Sequence, residues 1–230
     1  MNETLFQALT LIIPMIIAIV FHEVAHGWVA RMLGDHTAEQ QGRLTLNPLK
    51  HVDPFGTIIL PGMLKLAGMP VFGYAKPVPV NKWRLRNPKR DMMLVAAAGP
   101  GSNLVMALIA AVVLGLVMRP LKGIEDPSFA ITFLIANLVN FILINVFLAI
   151  FNLLPIPPFD GGHIVEGLLP DDLSRKYGEL HKYALLVMIL LLVVLPLMMP
   201  SLSVLNWLVG PPVEWLVGHY LGLASAIAGQ

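Results

Sequence analysis

The first apolar segment of the chain, residues 5–32, reads LFQALTLIIPMIIAIVFHEVAHGWVARM. It is longer than the about 20 apolar residues that a helix needs to cross the bilayer core. Its second half nevertheless contains three ionisable side chains well before the terminal Arg31, namely His22, Glu23 and His26. Ionisable groups inside a membrane span are energetically costly and usually serve a function. The segment therefore predicts a membrane helix that carries a chemically active site.

The composition of the whole chain agrees with a membrane location. Of 230 residues, 57% are hydrophobic and 13% charged, and the mean hydropathy is +0.75, whereas soluble domains contain about 25% charged residues. The formal net charge of +1 gives no positive field for nucleic acid, so no nucleic-acid partner is expected. Because the chain has no cysteine, any metal site must use His, Asp or Glu.

Further apolar segments follow at about 92–118, 129–154 and 183–199. A last apolar stretch, 202–228, is interrupted by Pro211 and Pro212, so it is either one kinked span or two short interfacial pieces. We predict an all-α polytopic membrane protein with four to six membrane helices. The first three segments form its core, and helices within 183–228 are additional. One membrane-embedded domain covers residues 1–230.

The basic residues predict the orientation of the chain. Ten of the fifteen lysines and arginines lie between the first and second apolar segments: Arg31, Arg43, Lys50, Lys65, Lys76, Lys82, Arg84, Arg86, Lys89 and Arg90. The positive-inside rule places this loop in the cytoplasm and the N-terminus outside the cell membrane. His22, Glu23 and His26 then lie near the cytoplasmic face.

The loop between the first two spans is predicted to fold back towards the membrane. Residues 43–46 alternate polar and apolar side chains, residues 57–60 and 78–80 favour strands, and six prolines oppose helix formation. We expect a small re-entrant β-element within about residues 41–81.

The spacing His22-Glu23-Val24-Ala25-His26 is the strongest functional signal. Residues four apart share one face of a helix, so both imidazoles can bind one metal ion. The intervening Glu23 can then take a proton from water beside the metal, and this spacing is the signature of zinc metalloproteases. The alternative is a pair of structural histidines bonded to neighbouring carbonyl groups.

A catalytic zinc site needs a third protein ligand and an open position. Asp160 is the best candidate because it follows the third apolar segment in NLLPIPPFDGG, residues 152–162. The prolines end the helix and the glycines allow a tight turn and a close approach. His163 is the competing candidate.

These motifs together resemble the site-2 protease family of intramembrane zinc metalloproteases. The resemblance rests on HEVAH, on NLLPIPPFDG (152–161), on GPGSN (99–103), and on the loop sequences GRLTLNP (42–48) and AKPVPVN (75–81). The family resemblance implies a three-helix core, Zn²⁺ bound by His22, His26 and Asp160, and Glu23 as general base. It suggests Asn152 as an oxyanion donor or substrate-positioning group. The loops leave no room for a PDZ or CBS domain, so a minimal form is expected.

The same resemblance implies a function, regulated proteolysis of membrane-tethered proteins within or near their transmembrane segments. A helical substrate must unwind first, because its carbonyl groups are hydrogen-bonded within the helix. Two alternatives stay open, a divalent-metal membrane carrier and a non-catalytic membrane binder with structural zinc. A carrier usually shows repeated halves, and a structural site usually has four protein ligands. Neither feature is apparent in the sequence.

Overall fold

The computed structural model describes residues 2–59, 62, 63, 66, 74–124, 126–194 and 205–229. In chain order the α-helices are α1 (Glu3–Met32), α2 (Thr37–Gln40), α3 (Pro88–Met118), α4 (Phe129–Asn152), α5 (Asp160–Leu168), α6 (Asp171–Gly178), α7 (Ala184–Ile189) and α8 (Gly210–Ala228). Short 3₁₀ or π segments include Pro48–Lys50, Pro54–Ile59, Lys82–Arg84, Arg119–Leu121, Glu179–Tyr183, Leu190–Val194 and Leu205–Val209.

Three helices in the described part of the chain are long and apolar enough to cross a membrane: Glu3–Met32, Pro88–Leu121 and Phe129–Asn152. Their outer faces carry exposed large apolar side chains, including Leu11, Ile16, Phe21, Ile109 and Leu143. A helix that is apolar all round is typical of a lipid environment. The all-α fold and the three predicted core helices are confirmed.

The additional spans predicted in the C-terminal region overlap residues outside the described ranges, namely 195–199 and 202–204. The described parts are α7 with Leu190–Val194, and Leu205–Val209 with α8. Pro211 and Pro212 lie in the first turn of α8, where proline removes no intrahelical hydrogen bond. The prolines therefore begin this helix instead of kinking it.

The long helix α3 lies at the centre of the bundle and contacts α1, α4, α5 and α8. Small residues make this close packing possible, since Ala107, Ala110 and Ala111 of α3 are fully or almost fully buried. They join a core completed by residues of α4, α8 and the segment before α8: Ile142, Val146, Val209, Val213 and Ala224. The position of α3 places its polar residues next to the second half of α1.

The β-element predicted within residues 41–81 is not seen among the described residues of that loop. Residues 74–81 form no strand ladder, because Pro77 and Pro79 have no N–H to donate, and these prolines favour an extended backbone at the residues that precede them. The neighbouring amides bond side chains instead. The N–H of Val78 donates to Glu23 Oε2 at 2.8 Å, and that of Asn81 donates to Asp35 Oδ2 at 2.6 Å. We call residues 74–81 the extended segment.

Polar contacts fix the extended segment against the end of α1. Arg43 donates to the carbonyl of Lys76 at 2.9 Å. Burial alone would raise the pKa of Asp35, but hydrogen bonds from Thr37 and Asn81 outweigh burial and hold that pKa below its ordinary value. Asp35 therefore anchors the segment as a carboxylate. Val78 of the same segment donates to Glu23, so the segment also lies over the candidate site.

Candidate metal centre

His22 and His26 lie one turn apart on the buried face of α1. Their Nε2 atoms are 3.1 Å apart, and the two rings are almost perpendicular, at 87°. The short Nε2–Nε2 distance shows that the two rings direct these nitrogens at a common point. The helical spacing in the sequence therefore produces a converging pair of nitrogen donors.

Buried oxygen atoms hold both rings from behind. Nδ1 of His26 lies 2.7 Å from the carbonyl oxygen of Val95, and Nδ1 of His22 lies 2.5 Å from Asn103 Oδ1. The amide nitrogen of Asn103 donates to Asn145 Oδ1 at 2.7 Å, so its Oδ1 is free to accept. Since these oxygens can only accept, each Nδ1 carries the hydrogen and each Nε2 keeps a lone pair.

Asp160 is the first residue of α5 and reaches the same point from the opposite side. Its Oδ2 lies 3.2 Å from His22 Nε2 and 3.4 Å from His26 Nε2. The turn after α4 brings it there. A Cβ at Gly161 would collide with the carbonyl oxygens of Leu153 and Leu154, so only glycine fits where the chain folds back on itself.

The three side chains form a donor set that fits a zinc ion. Oδ2 of Asp160 is buried and has no hydrogen-bond partner among the described residues, and both Nε2 atoms have free lone pairs. Tetrahedral zinc with bond lengths of about 2.0–2.2 Å places its donors roughly 3.3 Å apart. The observed separations of 3.1, 3.2 and 3.4 Å agree with that spacing.

Gly99 of α3 lies directly against both imidazole rings. A Cβ at this position would collide with His26 and His22. Gly99 therefore serves a close contact between α3 and the two histidines of α1. The absence of a side chain lets α3 approach α1 closely enough for Val95 and Asn103 to reach the rings.

The donors open into a cavity of about 340 Å³ that also contains the predicted catalytic residues Glu23 and Asn152. Glu23 accepts the N–H of Val78 through Oε2. The side-chain amide of Asn152 donates to the carbonyl of Leu148 at 3.0 Å, so only one of its two N–H groups is used. Pro77 and Val78 of the extended segment line the same cavity.

His163, the competing third ligand, also lines this cavity but is not part of the donor set around His22 and His26. It belongs to a separate group with Glu166 and His181. The contact of Asn103 with His22 was not predicted from the sequence. Asn103 lies in GPGSN, and its position four residues after Gly99 is the sequence signal that indicates a shared helix face.

Comparison with known proteins identifies the family. The family model described as Peptidase family M50 matches residues 10–120 and 117–195. The chain belongs to this family. The resemblance to site-2 proteases is thereby confirmed, and the apolar helices make this M50 protein a multi-pass membrane protein of a metalloprotease family.

Two relatives of this M50 protein are described by their names as proposed zinc metalloproteases. YwhC of Bacillus subtilis (strain 168) is 42% identical over 183 residues, which cover 80% of each chain. Rip2 of Mycobacterium tuberculosis (strain ATCC 25618 / H37Rv) is 28% identical over 221 residues, or 94% of this chain and 77% of the relative. No solved structure gives a significant match to this chain.

Proposed function

We propose that this M50 protein is an intramembrane zinc metalloprotease. Its substrates would be membrane-tethered proteins, cleaved within or near a transmembrane segment to release a part of the protein in a regulated way. One observation carries the proposal: Nε2 of His22, Nε2 of His26 and Oδ2 of Asp160 lie within 3.4 Å of one another in the cavity that holds Glu23.

The roles of the chain's own residues follow from their positions. His22, His26 and Asp160 would hold the ion. Zinc, when bound, supplies a Lewis acid that makes water a nucleophile near neutral pH. Glu23 would accept the proton from the attacking water and return it to the leaving amine. Its second carboxylate oxygen, Oε1, is available for this work while Oε2 accepts the N–H of Val78.

Asn152 would stabilise the negative charge that develops on the substrate carbonyl. One N–H of its amide donates to Leu148, and the second remains to donate to an oxyanion. A fixed donor of this kind is most effective in a site from which water is largely excluded. The carbonyl of Leu148 would thus orient the amide towards the cavity.

The substrate would enter as an extended chain and not as a helix. The carbonyl groups of an intact helix are hydrogen-bonded within that helix, and unwinding frees the carbonyl group that must be attacked. The membrane-protein substrate and the lipid bilayer are therefore the partners that the proposal requires.

The proposed orientation places the site near the cytoplasmic face of the cell membrane. Seven of the fifteen lysines and arginines lie between α1 and α3, and three more, Arg31, Lys89 and Arg90, lie in the helix turns next to that loop. The positive-inside rule then puts the loop in the cytoplasm and the N-terminus outside. His22 and His26 lie in the half of α1 that leads into this loop.

The proposal is tested with the purified chain in detergent and a panel of single-span substrates, with products read by mass spectrometry. Glu23→Gln should lower cleavage by about 10²–10⁴-fold, the usual contribution of general acid–base catalysis, and should leave the zinc content unchanged. Glu214→Gln, an exposed position on α8, is the matched control. Cleavage by Glu23→Gln at the wild-type rate would contradict the proposal and favour a carrier or a structural zinc site.

A further inference from the structure

A second group of histidine and carboxylate side chains lies beside the metal centre. His163 and Glu166 are three residues apart on α5 and share one face of that helix, and His181 comes from the Glu179–Tyr183 segment. A donor atom from each of the three lies within 4.8 Å of the others. The proposed protease mechanism uses none of these three side chains.

The ring nitrogens of this group are available to bind a cation. Nδ1 of His181 lies 3.2 Å from the carbonyl oxygen of Gly178, so Nδ1 carries the hydrogen and Nε2 keeps a lone pair. Both this Nε2 atom of His181 and the Nδ1 atom of His163 are buried, and neither has a hydrogen-bond partner among the described residues. Unpartnered buried polar atoms cost free energy, and a metal ion would satisfy both of them.

The carboxylate of Glu166 lies near both rings. Its Oε2 is 3.5 Å from His163 Nδ1 and 3.9 Å from His181 Nδ1. Two imidazoles and one carboxylate are a donor set that zinc and similar divalent transition metals accept. The three residues therefore offer the same types of donor as His22, His26 and Asp160.

A cavity of about 680 Å³ gives access to the group. Three lysines and one arginine line this cavity. Two of these cations are already paired with acidic side chains, since Lys89 lies 2.7 Å from Asp171 and Arg175 lies 3.6 Å from Asp172. Lys82 and Lys182 also line the cavity, together with the carboxylates of Glu166 and Glu179. The cavity charge thus does not exclude a divalent cation.

We infer that His163, Glu166 and His181 form a second site for a divalent transition-metal ion such as Zn²⁺ or Co²⁺. This site is weaker than the first. Its imidazole rings are stacked, with centroids 4.5 Å apart and planes at 22°, so at least one ring must rotate before both nitrogens face one ion. Ion binding must supply the free energy of that rotation.

The test is a Co²⁺ titration of the full chain in detergent after chelator treatment, followed by visible absorption and by counting metal ions per chain. The wild type should bind two ions, the second about ten-fold or more weakly than the first. Glu166→Gln and His181→Gln should each lose the weaker ion and keep the tighter one. His219→Gln, at an exposed histidine of α8, should keep both.

Several results would overturn the inference: a single ion in the saturated wild type, a weaker ion that survives in either variant, or loss of that ion in His219→Gln. If only one of the variants Glu166→Gln and His181→Gln loses both ions, the result for the other variant decides whether the inference stands. Loss of both ions in both variants would show that the group serves folding and not binding. The tighter ion and substrate cleavage are measured separately, so failure of this inference leaves the proposed protease function standing.

Discussion

The two histidine and carboxylate groups of this molecule contain the same kinds of donor but hold them differently. At the metal centre the rings of His22 and His26 are nearly perpendicular, at 87°, and their Nε2 atoms converge. In the second group the rings of His163 and His181 are stacked at 22°. Donor composition alone therefore does not make a preorganised site. The orientation of the rings makes a site preorganised, and that orientation is set by the residues that support each ring from behind.

The physical difference lies in the supporting structure. The metal-centre rings sit on the long helix α1 and are fixed from behind by Asn103 and Val95 of α3. The second group sits on the short helix α5 and a 3₁₀ segment. The exposed fractions of the side chains agree with this difference. They are 9% for His22 and 11% for His26, but 31% for His163 and 26% for His181. A buried, supported centre suits catalysis, and a partly exposed one suits exchange with solvent.

The largest effect should come from removing the carboxylate of the proposed metal centre, and removal of the second group's carboxylate is the comparison. Asp160→Asn replaces the anionic oxygen that faces His22 and His26, so it should lower zinc affinity by more than the ~10–100-fold typical of outer-shell changes and abolish cleavage. Glu166→Gln should leave cleavage within about two-fold, because Glu166 does not line the active-site cavity. Zinc content and product yield measure both effects. Equal loss of cleavage in the two variants would remove the proposed distinction between the groups.

Gly99→Ala should have the next largest effect. The added Cβ collides with both metal-centre rings, and a misplacement of about 1 Å can cost about 10²-fold in rate. Gly101→Ala is the control, since a Cβ there meets nothing within 4 Å. Both variants are compared for zinc content and cleavage. Normal cleavage by Gly99→Ala would mean that the rings do not need their present positions.

Asn103→Ala should have a smaller effect, because Asn103 orients His22 without touching the proposed ion. We expect a loss of about 10–100-fold in zinc affinity, measured by competition with a chelator. Asn103→Asp keeps an acceptor for His22 Nδ1–H and should restore part of that affinity. Asn137→Ala is the control, because within the described ranges its amide bonds only to its own helix, at Phe133. If Asn103→Asp binds zinc no better than Asn103→Ala, Asn103 acts only in helix packing.

Much of the fold was predictable because membrane helices follow from local composition. The apolar segments at 5–32, 92–118 and 129–154 correspond to α1, α3 and α4 within a few residues. The pairing of His22 with His26 follows from helical spacing alone. The approach of Asp160 to the two histidines was predicted because NLLPIPPFDGG indicates a helix end followed by a tight turn.

The remaining features depend on contacts between distant parts of the chain. Several intramembrane asparagines look alike in the sequence, and only the rotation of each helix about its axis decides which residue each one meets. Asn103 meets His22, whereas Asn140 donates to the carbonyl of Thr10 at 2.9 Å. Nothing local indicates that His181 meets His163. The strand propensity of residues 78–80 was outweighed by bonds to Glu23 and Asp35.

The most direct test of the account is X-ray absorption at the zinc edge on Glu166→Gln, in which the second group is disabled. The account predicts one zinc ion per chain with two histidine nitrogens and a carboxylate oxygen, at about 2.0–2.2 Å, and loss of that signal in Glu166→Gln combined with Asp160→Asn. Absence of zinc, or an unchanged spectrum after the Asp160 substitution, would contradict the claim that His22, His26 and Asp160 hold one ion.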